Sequence, residues 1–323
     1  MILKTKMEKI IHAGYKNMGA MVVSKNGEIV YENYYNGCNK ETTFHVFSVT
    51  KSIIAILMGI AIDKGYLQDI DQKLLDFFPE YEVKKGENIL QHITVEDLLT
   101  MTAPYKYQAE NYSAYFSSND WVKASLDLLG GRGKIGEFRY APIIGPDILS
   151  GILVQVTGES VLDFATKYLF YPLGIKVDTP ITFRNQEEQM AFYKAKNVKG
   201  WVASPTGVNT AGWGLNLTAR DMLQLGQLYL NHGRYEGKQI VSEKWVAECI
   251  KEQVVCKQYN LSYGYLWWVI DKSEQSFAAM GDGGNVIYVN LKKQLVIVIA
   301  SYLVPKAKDC IKLIKGYIEP VFE

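Results

Sequence analysis

The chain has 323 residues, 48% of them hydrophobic, with 35 basic and 34 acidic side chains and a formal net charge of +1. That is enough apolar chain to bury a substantial core in one large domain or two closely packed ones. The charge balance excludes the strongly basic surface of a nucleic-acid binder.

The opening residues "MILKTKMEKIIHAGYKNMG" hold no continuous apolar stretch of signal-peptide type, and nowhere do about 18 apolar residues run uninterrupted. Neither export nor a membrane span is expected. The four cysteines, Cys38, Cys249, Cys256 and Cys310, lack C-x-x-C spacing, so reduced thiols in a cytoplasm are the expectation.

In chain order, Met7 to Tyr15 read as a short amphipathic helix. "GAMVVSKNGEIVYENYYNG" follows as two antiparallel strands turning at Asn26-Gly27, a dipeptide suited to tight hairpin turns. "FSVTKSIIAILMGIAIDKG" places Ile53, Ile54, Leu57, Ile60 and Ala61 on one stripe of a helix that starts near Ser48 and ends at "DKG". Residues 71–200 read as mostly helical, with "TVEDLLTMTA", "WVKASLDLL", "PDILSGILVQVTG" and "SVLDFATKYLFYPLGI" separated by loops. Thr94 to Asp97 has the form of a capping box, and Ser160 caps the last of these helices. Another helix begins near Thr218. The strand-like segments "YGYLWWVI", "NVIYVN" and "QLVIVIAS" and a helical "KAKDCIKLIKGYIEPVF" close the chain. The two ends thus predict one discontinuous domain, residues 1–70 and 201–323, of α/β (α+β) class with an antiparallel sheet flanked by helices. Residues 71–200 form a helical domain, and a cleft between the two is the expected place for a site.

Ser48 and Lys51 raise the question of chemistry. A serine at a helix start ordinarily accepts a hydrogen bond from a free backbone N–H. The same position offers the positive end of the helix dipole to a developing anion, and a lysine one turn on lies on the same face. That is an arrangement for activating a serine without histidine. Other sites are struck out more easily. His12, His45, His92 and His232 have no metal-ligand spacing, no serine stands in G-x-S-x-G, and "GGRGKIG" at 130–136 reads as a loop. His45, three residues before Ser48, precedes the helix and reads as a hydrogen-bonded structural histidine. No metal or organic cofactor is expected.

The run "FSVTKSIIAILMGIAIDKGYLQDIDQKLLDFFPEY", then "ITVEDLLTMT", "VTGESVLDFATKYLFYPLGI", "GVNTAGWGLNLTARDMLQLGQLYLNHGRYEGKQIVSEKWV" and "YGYLWW", in this order, resembles the serine-reactive hydrolases that include class C β-lactamases, D-Ala-D-Ala carboxypeptidases, related esterases and 6-aminohexanoate-dimer hydrolases. The resemblance covers most of the chain. It implies a β-lactamase/transpeptidase-like fold with Ser48 as nucleophile, Lys51 as its basic partner and Tyr140 as the tyrosine of the second motif. Pro142 stands where that motif usually has asparagine. The third motif, usually K-T-G or H-x-G, is matched in place by Asp282, Gly283 and Gly284, with an acid where a cation is customary. By the same resemblance the backbone N–H groups of Ser48 and Asn285 hold the oxyanion. The two glycines are expected to let substrate approach the strand.

The implied function is cleavage of a small-molecule ester, amide or short peptide through an acyl-enzyme, on a substrate other than a typical β-lactam. A non-catalytic binding or sensor protein on the same fold, and an acyltransferase using the same serine, fit the same residues. Tyr105, Tyr107, Tyr112, Tyr115, Phe116 and Trp121, with Trp213, read either as an aromatic substrate wall or as loop packing. Nothing in the residues defines an oligomeric state.

Overall fold

The computed structural model describes residues 2–106, 112–142 and 145–323. Helix α1 (Ile2–Gly14) leads to strands β1 (Met18–Lys25), β2 (Glu28–Tyr34) and β3 (Thr43–His45), then to helix α2 (Val49–Asp63). The central stretch carries α3 (Val95–Leu99), α4 (Tyr112–Phe116), α5 (Trp121–Leu126), α6 (Asp147–Thr157), α7 (Val161–Ala165), β4 (Pro180–Ile181), α8 (Gln186–Lys194) and β5 (Gly200–Val202). There follow β6 (Leu215–Thr218), α9 (Ala219–Leu230), a small hairpin of β7 (Arg234–Tyr235) and β8 (Lys238–Gln239), and α10 (Glu243–Ile250). The chain closes with β9 (Val254–Cys256), β10 (Leu261–Tyr263), β11 (Trp268–Asp271), β12 (Ser276–Gly281), β13 (Asn285–Asn290), β14 (Leu295–Ser301) and α11 (Cys310–Leu313).

The two chain ends build one eight-stranded sheet in the order β2-β1-β14-β13-β12-β11-β10-β9, and the named pairings are antiparallel. The β1–β2 hairpin turns at Asn26 and Gly27, both at positive φ (51° and 85°), as that dipeptide permits. Strand β14 shows how the sheet separates two cores. Val296, Val298 and Ala300 face the large core with α2 and α9, whereas Leu295, Ile297 and Ile299 face a smaller one with α1 and α11. This is the alternation of a strand buried on both faces. Helix α2 is buried from Val49 through Ala61, and each of its fully buried Ile and Leu side chains contributes roughly 1.5–3 kcal/mol.

Several local readings hold in detail. Thr94 and Asp97 form a reciprocal capping box, Ser160 accepts from the Asp163 N–H, and α9 starts with a second box between Thr218 and Asp221. Others need correction. Helix α1 starts at Ile2 instead of Met7, because its first turn is exposed and shows no apolar period. "YGYLWWVI" is not one strand: the chain breaks between β10 and β11, with Leu266 at φ 58°. Strand β12 was absent from the expected set because "SFAAMG" carries no β-branched residue to mark it. A second sheet, ordered β3-β6-β5-β4, ties the approach to α2 to residues 180–218.

Candidate active site

The site begins where β3 turns into α2. Phe47 adopts φ 49°, a left-handed conformation that costs a non-glycine residue on the order of 1 kcal/mol or more. Its ring is held in place by packing on His45, at 3.8 Å between centroids, and by stacking on Tyr193 at 6.5 Å. The turn delivers Ser48 to the N-cap position of α2, yet its side chain caps nothing. The hydroxyl instead accepts from Lys51 Nζ at 2.7 Å.

Lys51 is 1% exposed. Besides Ser48 Oγ, its Nζ donates to the carbonyl oxygens of Gly212, at 2.9 Å, and Pro142, and it lies 5.2 Å from the centroid of the Tyr140 ring. The structure therefore brings Ser48, Lys51 and Tyr140 together. Pro142, which lacks the amide side chain usual at its position, contributes its backbone carbonyl to the lysine.

The Gly212 carbonyl is itself positioned. Asp147, the first residue of α6 and 2% exposed, accepts from the N–H groups of Ala211 (2.7 Å) and Gly212 (3.3 Å) and from the Tyr115 hydroxyl. Burial, with the Asp147 charge beside it, holds the Tyr115 phenol well above its usual pKa, so it remains a donor. The same loop is pinned on both sides. Trp201 Nε1 donates to Thr210 O at 2.8 Å, and the Gly214 N–H donates to His45 Nε2 at 2.9 Å. His45 is thus the structural histidine expected. Accepting at Nε2 places its proton on Nδ1, and desolvation lowers its pKa to about 3.

The third-motif residues form the three-residue turn between β12 and β13, with Gly281 opposite Asn285. Both glycines are tightly packed on their Cβ side. A Cβ on Gly283 would meet the Tyr302 carbonyl oxygen at 2.9 Å, and one on Gly284 the Cys310 sulfur at 2.8 Å. Protein lies against the Cβ side of both positions, while both also line the cleft into which Ser48 opens. Gly281 packs on the nucleophile's turn, where a Cβ would lie 2.2 Å from Val46 O and 3.2 Å from Ser48 N. The buried Asn285 side chain ties this turn to β14, donating to Asp282 O at 2.7 Å and accepting from the Ser301 N–H at 2.9 Å. Asp282 is exposed.

Ser48 opens into a cleft of about 1110 Å³, lined near the serine by Phe47, Tyr193, Trp213, Met280 and the 281–285 turn. Trp213 is a wall residue, although 2% exposed, and stacks on Tyr193 at 5.5 Å and on Trp121 at 6.3 Å. Tyr112, 42% exposed, is not among the described residues lining this cleft, although it lies close enough to the cleft residue Tyr193 to act on its phenol. Phe116 and Trp121 pack on Trp213, with Tyr115 against both. Tyr107 lies outside the described residues. Sequence reasoning missed Phe47, Tyr193, Asp147, Gly212 and Gly281. The acid in "GPDILSG" looks like any first-turn helix residue, and a carbonyl at Gly212 leaves no signal in residue type.

A family model described as Beta-lactamase matches residues 7–313. The 6-aminohexanoate-dimer hydrolase of Paenarthrobacter ureafaciens is 24% identical over 300 residues, which span 86% of this chain and 71% of that protein. Among solved structures, the octameric penicillin-binding protein homologue from Pyrococcus abyssi superposes with a TM-score of 0.73 at 18% identity, over 99% of this chain and 77% of that one. EstCE1, described as a hydrolase with promiscuous acyltransferase activity, does so with a TM-score of 0.73 at 16% identity, over 99% and 97%. Among the described residues no single helix is long and apolar enough to cross a membrane.

Proposed function

The chain belongs to the Beta-lactamase family, and on that premise we propose that it is a serine hydrolase cleaving esters or amides through an acyl-enzyme on Ser48. The observation that carries this reading is the 2.7 Å contact between Ser48 Oγ and Lys51 Nζ, with two carbonyl acceptors around the same nitrogen. In the neutral form that attack requires, the amine keeps two N–H bonds for Gly212 and Pro142 and turns its lone pair to the Ser48 hydroxyl proton, the reverse of the donation from Nζ to Oγ described above. As the serine oxygen attacks a carbonyl carbon, that proton passes to Lys51, whose three N–H bonds then find acceptors in place.

Tyr140, beneath the Lys51 nitrogen, is the route by which the proton reaches the leaving group. The oxyanion is held by the Ser48 N–H at the positive end of α2 and, as the family resemblance implies, by the Asn285 N–H. Water then hydrolyses the acyl-enzyme by the reverse proton movements.

Asp282 argues against a dedicated β-lactamase. An acid at the mouth of the serine's cleft repels a carboxylate placed beside the scissile amide, as in a penicillin. Labelling with a fluorophosphonate probe tests the assignment: wild type is labelled and Ser48→Ala is not. Equal labelling of the two sinks it.

A further inference from the structure

The cleft continues well past Ser48. Two more of its walls are the end of α8 with the segment after it and the loop between β14 and α11, and these carry Lys194, Lys196, Lys306 and Lys308. All four are exposed. Among the described residues, none of the four has a carboxylate within the 4.0 Å that defines an ion pair. Lys196 rests on the Tyr302 ring of the cleft at 4.7 Å, and Lys308 on the Tyr15 ring, which follows α1, at 5.7 Å, so two of the ammonium groups are held on aromatic faces.

The acids on the cleft do not cancel this charge. Asp309 is engaged elsewhere, accepting from the Ile311 and Lys312 N–H groups at 2.9 and 3.1 Å and facing the Lys312 ammonium. Asp282 stands at the serine end, next to Tyr193. The cleft therefore carries one acid in the turn beside the nucleophile and four cations on the walls formed by α8 and the β14–α11 loop. Walls of low dielectric focus such a field along the cleft.

We propose that the lysine-lined arm is a subsite for a carboxylate carried by the substrate several bonds from the scissile carbonyl. This rests on the hydrolase reading above and adds the substrate class: an ester or amide with an anionic tail. Asp282 rejects an anion next to the scissile bond, and the lysines accept one farther along. The tail belongs either to the acyl group or to the leaving group, and the experiment separates the two.

In one series, 4-nitrophenyl esters of glutarate, pentanoate and 5-aminopentanoate present an anionic, neutral or cationic acyl tail of equal length. In the other, acetate esters of 5-hydroxypentanoate, pentan-1-ol and 5-aminopentan-1-ol place the same charges on the leaving group. The expected result is a kcat/KM for the anionic member at least about tenfold above the neutral one in one series, with the cationic member lowest. About 0.5 M salt shrinks the preference, and the double variant Lys194→Glu/Lys306→Glu inverts the ranking of anionic and cationic members. Equal rates within both series, or a preference that survives the double variant, overturn the proposal.

Binding gives a readout independent of turnover. By calorimetry, monomethyl glutarate binds the wild type more tightly than dimethyl glutarate does, and the double variant loses that difference; equal affinities also overturn the proposal. Absence of turnover on every ester, with this binding difference intact, sinks the hydrolase reading alone. Ser48-dependent hydrolysis without anion preference sinks the subsite alone.

Discussion

A single residue joins the Asp147 carboxylate to the Lys51 amine. The Gly212 N–H donates to Asp147 Oδ1 at 3.3 Å, and the Gly212 carbonyl accepts from Lys51 Nζ at 2.9 Å. Asp147 therefore acts on the lysine by fixing the loop that holds one of its acceptors. Asp147→Asn keeps a carbonyl oxygen for the Ala211 and Gly212 N–H groups, whereas Asp147→Ala leaves both buried donors unsatisfied. A displacement near 1 Å at a reacting group costs about 10²-fold in rate. The expected order of kcat on a neutral ester is wild type, Asn, then Ala lower by about that factor, with KM little changed. Equal kcat for the Asn and Ala variants, or a loss confined to KM, contradicts the positioning role.

Lys51 has both a chemical and a structural part, and Lys51→Met separates them. Methionine fills much of the same volume without a proton to exchange. Loss of general-base assistance lowers acylation by about 10²–10⁴-fold. The buried Gly212 carbonyl loses a donor at roughly 1–3 kcal/mol and the half-buried Pro142 carbonyl at less, offset in part by no longer burying an amine. Stopped-flow acylation and urea denaturation measure the two effects. A folded variant with wild-type acylation removes Lys51 from the mechanism.

The parts of this molecule that were legible in sequence are those written in contacts between near neighbours. Asn26-Gly27, the Thr94–Asp97 box and the Thr218–Asp221 box each act within four residues, and Ser48 with Lys51 within one helical turn. The resemblance of ordered blocks carried the fold from there. Asp147 reaches Ala211 across 64 positions, and no local pattern marks that contact. Pro142 shows a second limit. Read by side chain it is the loss of an asparagine, but the group that meets Lys51 is a backbone carbonyl, which any residue at that place provides.

Gly281 and Gly316 make a matched pair for the closeness of β12 to the nucleophile. A Cβ on Gly281 would sit 2.2 Å from the Val46 carbonyl oxygen, forcing β12 and the Phe47–Ser48 turn apart, whereas one on Gly316 meets nothing within 4 Å. Gly281→Ala is expected to lower stability by about 1–3 kcal/mol and to slow acylation of Ser48. Gly316→Ala, in the wider turn of Ile314–Ile318 and without positive φ, is neutral or stabilising by about 0.4–1 kcal/mol. Thermal melts and fluorophosphonate labelling rates compare them. Unchanged labelling in Gly281→Ala contradicts the tight seating.

His45 gives the fold a calculable response to acid. Its folded-state pKa, lowered to about 3 by desolvation, lies below the 6.5 of an unperturbed histidine. Between those values the unfolded chain takes up a proton that the native imidazole does not, so acid favours unfolding. The His45 contribution to stability is complete above pH 6.5 and falls by up to ~1.4 kcal/mol per pH unit toward pH 3. From about pH 7.5 to 5 the expected loss is about 2 kcal/mol. His45→Gln keeps an acceptor for the Gly214 N–H but does not titrate. Its stability is lower at neutral pH, because the packing of His45 on Phe47 is lost, and it changes less across that interval. Urea denaturation of both proteins at the two pH values measures the difference. Parallel losses in wild type and variant would show that His45 is not held neutral by the fold.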